Sequence, residues 1–227
     1  MPSPRQTAQS GATAATNTKA VTFAGATLNG SYLFGRFGAF PGTLTAATTV
    51  TVTHTGSEGP QTLQFRASSG GGSLFGTFYI PNIVGQGSHT VTVTLSGGLT
   101  GFIDLGVDEV QGIAATGALD QNVAIATANS AAPATNTTGT LGQPDEFCFA
   151  SFYNENTGTT FTATAPYTAD PTVTSTNGET LAGSFFTTSA TTAQSAAGTW
   201  GAAGTWYAHL ATFRLASAGI PVAWLAA

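Results

Sequence analysis

Any chemistry in this chain would fall to three histidines, one cysteine and ten acidic residues spread over 227 positions. His54, His89 and His209 each lie in or beside an alternating apolar pattern. None has a sequence-local partner at metal-ligand spacing, so a metal site would have to be gathered by the fold, and strand-surface histidine is the plainer reading. Cys148, within Asp145-Glu146-Phe147-Cys148-Phe149, alternates with rings as a small buried apolar residue does. As the only cysteine of the chain it excludes an internal disulfide and a cysteine-built zinc site. Paired carboxylates would suit a glycosidase, which sets two of them about 5–10 Å apart, and Asp104, Asp108, Glu109, Asp145 and Glu146 are the candidates. In FIDLGVDEV, alternation puts Asp104 and Asp108 on one face and Ile103, Leu105 and Val107 on the other, so these aspartates read as the solvated side of a strand.

The remaining chemical signatures are missing from the sequence. Serine and threonine abound, yet no G-x-S-x-G elbow accompanies them. No D-x-D-x-D-G loop gathers oxygens for calcium, and Gly-rich stretches such as Ser68 to Ser73 sit between strand patterns rather than before a helix that could cradle phosphate. The expectation is a protein with no catalytic residues, no cofactor and no metal, hence no enzyme.

Recognition would then rest on side chains at the two ends. Trp200, Trp206, Tyr207 and Trp224 gather near the C-terminal end, where exposed rings could stack on sugars or anchor a partner. In GTWYAHLATFRLA the alternation sets Trp206, Ala208, Leu210 and Thr212 on one face and Tyr207, His209, Ala211 and Phe213 on the other, so most of these rings belong to a core. Trp224, in IPVAWLAA, lies in an apolar tail that must be buried on its own domain or on a neighbouring subunit. Candidate contact residues are Trp224, Trp206, Trp200 and, in the N-terminal stretch, Arg5.

Charge sets the class of partner. Charged residues make up 7% of the chain, against about a quarter in ordinary globular proteins. The five basic residues are scattered and the formal net charge is -5, so no basic stripe can neutralise phosphates, and nucleic acid is not an expected partner. Nor is a membrane, because no apolar run reaches the ~18 residues that span a bilayer. Thr, Ser, Asn, Gln and Gly must cover the surface, with little repulsion between copies. MPSPRQTAQSGATAATNT has no apolar stretch of the kind a secretory signal carries, although the composition suits a protein that lives outside cells. A virus particle assembled in the cytoplasm and then released reconciles the two.

Positioning falls to strands. Residues 1–18 lack periodicity and read as an extended arm. From Lys19 a period of two begins: Val21, then Tyr32 and Phe34, Val50 and Val52, Leu63 and Phe65, Leu74 to Ile80, Val91 to Leu95, and Ile103 to Val107. Gly-rich turns separate them, and no helical crossover is present to join parallel strands, so the fold class is all-β, an antiparallel sandwich that is jelly-roll-like. A second series, EFCFASF, TTFTATA, TVTS, AGSFFTT and GTWYAHLATFRLA, follows a polar stretch at 126–145. That stretch is either a linker between two domains or a loop crossing between the sheets of one sandwich spanning 19–216; the single sandwich is preferred, with 217–227 as an apolar tail. Asn177-Gly178 marks a hairpin of the type I′ kind, with strands on both sides.

FYIPNIVGQGSHTVTVTLSG, followed by GFIDLGVDEVQGI and the closing WYAHLATFRLA, resembles a β-sandwich family met in bacterial surface proteins and tailed-phage virion proteins. The resemblance is one of pattern over roughly residues 73 to 216, with Phe78, Asn82, Gly87, His89, Glu109 and Phe213 among the matching positions. It implies a fold and, for Glu109, a structural role; it brings no catalytic residues. Together these readings point to a virion structural protein of a tailed phage, a capsid decoration or minor tail component. Its partners would be other virion proteins and copies of itself, in a homo-oligomer. The alternative is a carbohydrate-binding or adhesive module on a bacterial cell surface.

Overall fold

A computed structural model describes residues 2–40, 49–67, 72–96, 100–156 and 159–217. The described residues contain no helix, every strand pairing among them is antiparallel, and none of their segments is a helix able to cross a membrane. The first half of the chain builds two facing sheets. One is five-stranded, in the order β1 (Pro4–Ser10), β8 (Phe102–Val110), β3 (Tyr32–Phe40), β6 (Leu74–Ile80) and β5 (Gln61–Ala67); the other carries β2 (Thr18–Thr22), β7 (Thr90–Leu95) and β4 (Val50–His54). The second half builds β10 (Ala126–Ser130), β17 (Gly204–Arg214), β11 (Glu146–Asn154), β15 (Thr180–Thr188) and β13 (Thr168–Ala169), with β9 (Leu119–Asn122) also on β17 and β14 (Val173–Thr174) also on β15. β12 (Phe161–Ala163) and β16 (Gly198–Trp200) form a small fourth sheet.

The winding of the first half follows from rolling up one long hairpin. An eight-strand hairpin pairs β1 with β8, β2 with β7, β3 with β6 and β4 with β5; rolled, it sends alternate pairs to opposite sheets, as in a jelly roll. The first three pairs form as that scheme requires. The innermost pair does not: β4 stays beside β7 while β5 crosses to β6. The winding is therefore jelly-roll-like without closing into a complete roll.

The four sheets stack as layers. Leu33, Phe37, Phe78, Val93, Leu105 and Val107 fill the space between the first two. Phe34, Phe147, Phe149 and Phe213 lie between the five-stranded sheet and the β17 sheet, with Phe34 centred 4.7–5.2 Å from the other three rings. Cys148, Phe152, Phe161, Trp200, Trp206 and Leu210 lie between the β17 sheet and the β12–β16 pair. In a two-layer sandwich every second residue of a strand would face water. Here β8 and β11 are buried at nearly every position, because each central sheet is covered on both faces.

Several sequence expectations change accordingly. The sheets hand over from one half to the other across residues 111–118, between β8 and β9. The 126–145 stretch is bound into the second half: β10 pairs with β17, and Thr135, Thr138 and Leu141 donate their amides to the carbonyls of Ala196, Gln194 and Thr191. Residues 4–10, inside the expected arm, are an integral edge strand whose register runs along β8 from Pro4–Val110 to Ser10–Leu105. Strands do flank Asn177-Gly178, but the turn is not type I′. Asn177 has an ordinary negative φ, Gly178 alone turns positive (φ 109°), and Gly178 N–H closes on Ser175 O at 3.1 Å. This is a three-residue loop with a glycine bulge, braced by Asn177 Nδ2 donating to Glu179 Oε1 at 2.6 Å.

Candidate functional site

Polar chemistry concentrates in the seam between the five-stranded sheet and the β17 sheet. Arg36 sits mid-strand in YLFGRFGAF on β3 and is completely buried. Its guanidinium donates to Asp108 Oδ2 of β8 at 2.5 Å and faces Asp170 Oδ2, from the second half of the chain, at 3.3 Å, set off the hydrogen-bonding angle. Thr7 Oγ1 donates to the other oxygen of Asp108 at 2.7 Å. Room for the guanidinium comes from glycine: a Cβ on Gly183 of β15 would lie 2.4 Å from Arg36 Cζ and 2.5 Å from Asp170 Oδ2. Burial, then the neighbouring Asp108, push the Asp170 carboxyl well above its ordinary range.

A second bridge crosses the same seam. His209 Nδ1 of β17 accepts from Thr77 Oγ1 of β6 at 2.9 Å, and its Nε2–H donates to Asn122 Oδ1 of β9 at 2.8 Å. Burial pulls the imidazole down to about 3, so it stays neutral. Near the other end of the strands Asp104 accepts the Ala12 amide at 3.0 Å, and burial pushes its carboxyl up to about 8.

The loops at one end of the first sandwich hold two further networks. Glu109, wholly buried, accepts from Arg5 and Gln6 at 2.6 Å each, from the Leu28 amide at 2.7 Å and from Ser31 at 2.8 Å. Burial alone would raise its carboxyl, but these donors outweigh that and hold it below its ordinary value. Nearby, Thr27 Oγ1 contacts His89 Nδ1 at 3.0 Å, His89 Nε2 contacts His54 Nδ1 at 2.9 Å, and His54 Nε2 contacts Glu58 O at 2.7 Å. Proton order in this chain is fixed by its ends. Glu58 O can only accept, so His54 carries its proton on Nε2; Nδ1 then accepts from the Gly56 amide and from His89 Nε2–H, and Thr27 donates to His89 Nδ1. Burial, then His54, hold the His89 imidazole below its ordinary value. The Thr27 hydroxyl is buried and already accepts the Gln86 amide at 3.0 Å, so the relay fastens loops together and presents no open nucleophile.

The candidate contact residues fall in three different settings. Trp206 is buried, with Nε1 donating to Ser130 Oγ at 2.9 Å, and Trp200 is buried against Phe161 at 4.8 Å between ring centres. Both rings belong to the layer beneath β12 and β16 and offer no free stacking face. Arg5 is partly exposed but committed to Glu109 and to Ala26 O. Trp224 lies outside the described residues. Asp104 and Asp108 do share a face, as alternation requires, yet that face is buried beneath the second half of the chain, so the solvated reading is corrected. The reading of the histidines as strand-surface residues is corrected for His89 and His209, both fully buried. Cys148 is buried as well, and burial pushes its thiol up to about 12.

The Arg36 pin escaped the sequence reading, though a signal for it exists. A lone arginine flanked by glycines within a run of large apolar residues has no route to water, so it must meet acids on a neighbouring strand. Among the described residues, no group of three or more His, Cys, Asp or Glu side chains is placed to hold a metal ion. Comparison with family models, with curated proteins and with solved structures yields no match to this chain.

Proposed function

We propose that this chain is a structural protein of a tailed-phage virion, a capsid decoration or minor tail component, which acts through lasting protein–protein contacts. The observation that carries this reading is the direction in which charge is turned. The chain has only five basic and ten acidic residues, and Arg36 with six carboxylates is buried. Arg5, Lys19 and Arg214, the other cations whose side chains are described, are bonded within the molecule to Glu109, Gly11 O and Asp120. The exterior left over is mainly neutral and hydroxyl-rich, with Leu28 and Val84 the only large apolar side chains exposed among the described residues. Such a surface keeps neighbours in permanent contact with little electrostatic repulsion.

A mass-spectrometric inventory of purified particles tests this reading. The chain is expected in the particle fraction at a fixed copy number: high for a shell component, a few for a tail tip. Its absence from particles would refute the proposal. The adhesive alternative has lost Trp200 and Trp206 as stacking faces, which leaves it resting on Trp224.

A further inference from the structure

The split of the innermost strand pair leaves a cleft. β4 pairs only with β7 and β5 only with β6 among the described residues. Between them opens a cavity of about 250 Å³ lined by Phe37, Val50, Val52, Phe65 and Phe78, with threonines as its only polar lining among the described residues. It exceeds the roughly 150 Å³ cavity that accepts a benzene ring.

Among the described residues, the edge bordering the cleft is unguarded. Natural sheets blunt their edges with charge, proline or bulges. On this sandwich β2 carries Lys19, β1 carries Pro4, Arg5 and a register shift, and β5 has a register shift between Thr62 and Gln64. β4, VTVTH, has no lysine, arginine, acid, proline or register shift. An open edge beside an apolar cleft suits an extended segment that adds as a strand, its backbone bonding the edge and alternate side chains entering the cleft.

We propose that the occupant is Ile220–Leu225 of a second copy of this chain. This rests on, and deepens, the assembly reading above. In Ile220-Pro221-Val222-Ala223-Trp224-Leu225 the residues Ile220, Val222 and Trp224 alternate, so an extended conformation turns all three to one side. The chain's own copy of the segment starts in the wrong place. Ala216 N–H donates to Gly112 O at 2.8 Å, so the chain leaves beside the end of β8, and Ser217 lies with Gln143 and Pro144. In that sheet β5 is three strands from β8, about 14 Å sideways at ordinary strand spacing, and the cleft lies on the sheet's far side. From Ser217 to Ile220 the chain spans about 10 Å at full extension. The contact is therefore made between copies, tail of one to cleft of another, and either closes by reciprocal exchange into a dimer or runs on into rings or filaments.

Sedimentation velocity of the full chain and of two variants, Trp224→Asp and Val52→Lys, tests this. The unaltered chain is expected to associate as concentration rises, and each variant alone to bind itself about 30-fold more weakly. An equimolar mixture of the variants retains one intact tail and one intact cleft, so it should form one-to-one dimers and nothing larger. That complementation also shows that both variants are folded. Association that neither substitution weakens would overturn the cleft as the docking site while leaving the assembly reading standing. Mixed variants that stay monomeric would overturn it too. If the unaltered chain is monomeric, quenching of Trp224 by acrylamide separates the remaining cases, and all three count against a second copy: a shielded ring freed by Val52→Lys means that the chain fills its own cleft, a shielded ring that Val52→Lys does not free means that the tail is buried elsewhere on its own copy, and an open ring means that the cleft is empty. The particle inventory then judges the assembly reading separately.

Discussion

The two faces of the five-stranded sheet are built on different principles. Toward β2, β7 and β4 the seam is apolar, Leu33, Phe37, Phe78, Val93 and Leu105 against one another. Toward the β17 sheet it has aromatic clusters around Phe34 and around Tyr153, and between the two halves it carries Arg36–Asp108–Asp170 and Thr77–His209–Asn122. Apolar contacts are non-directional and tolerate sliding, whereas buried ions and oriented hydrogen bonds accept one arrangement. In this molecule the apolar seam closes the first half, and the polar seam specifies how the two halves stack.

The largest effect should follow from breaking the pin. Arg36→Met leaves two acids buried without their cation and should cost about 3–5 kcal/mol in urea denaturation. Replacing all three together, Arg36→Met with Asp108→Leu and Asp170→Leu, should recover most of that loss. If the single substitution costs less than about 1 kcal/mol, the pin does not order the stack. Gly183→Ala attacks the same place sterically. It drives a methyl into the guanidinium and should cost about 1–3 kcal/mol.

The apolar seam should respond to volume and little else. Leu105→Ala should cost about 2–5 kcal/mol, but Leu105→Met less than about 1.5 kcal/mol. A large penalty for the methionine variant would erase the contrast between the seams.

Titration offers a subtler probe of the polar seam, read as stability against pH. Burial raises Asp104 from 3.8 to about 8, so its contribution is complete below its unfolded value and is lost as pH rises through about 8. His209, lowered by burial from 6.5 to about 3, acts in the opposite sense and withdraws stability as pH falls through that window. Each slope is about 1.4 kcal/mol per pH unit. For these two groups the slopes cancel between about pH 4 and 6.5, and stability then falls by about 2 kcal/mol toward pH 8. Asp104→Asn should flatten the alkaline fall; an unchanged curve would assign it to other groups. Smallest of all, Ser130→Ala leaves Trp206 Nε1 without its acceptor and should cost about 1 kcal/mol.

Much of this was legible in the residues. Period-two runs located the long strands, and the alternation in GTWYAHLATFRLA divides as the layers do: Trp206, Ala208 and Leu210 toward β12 and β16, Ala211 and Phe213 toward the five-stranded sheet. Short strands without apolar alternation were not legible. β9 (LDQN), β10 (ATANS) and the two-residue β13 are held by partners distant in sequence and carry no pattern of their own. The fate of Asp104 and Asp108 was hidden for another reason. Alternation assigns a side chain to a face and says nothing of what covers it, and here the cover is the other half of the chain.

Salt dependence is the most direct test of a surface whose charge has been turned inward. Co-sedimentation with purified particles should be measured from low salt to well above physiological ionic strength. The expected result is a bound fraction that does not fall across the series. A fraction that collapses as salt rises, or a chain that never sediments with particles, would contradict the account.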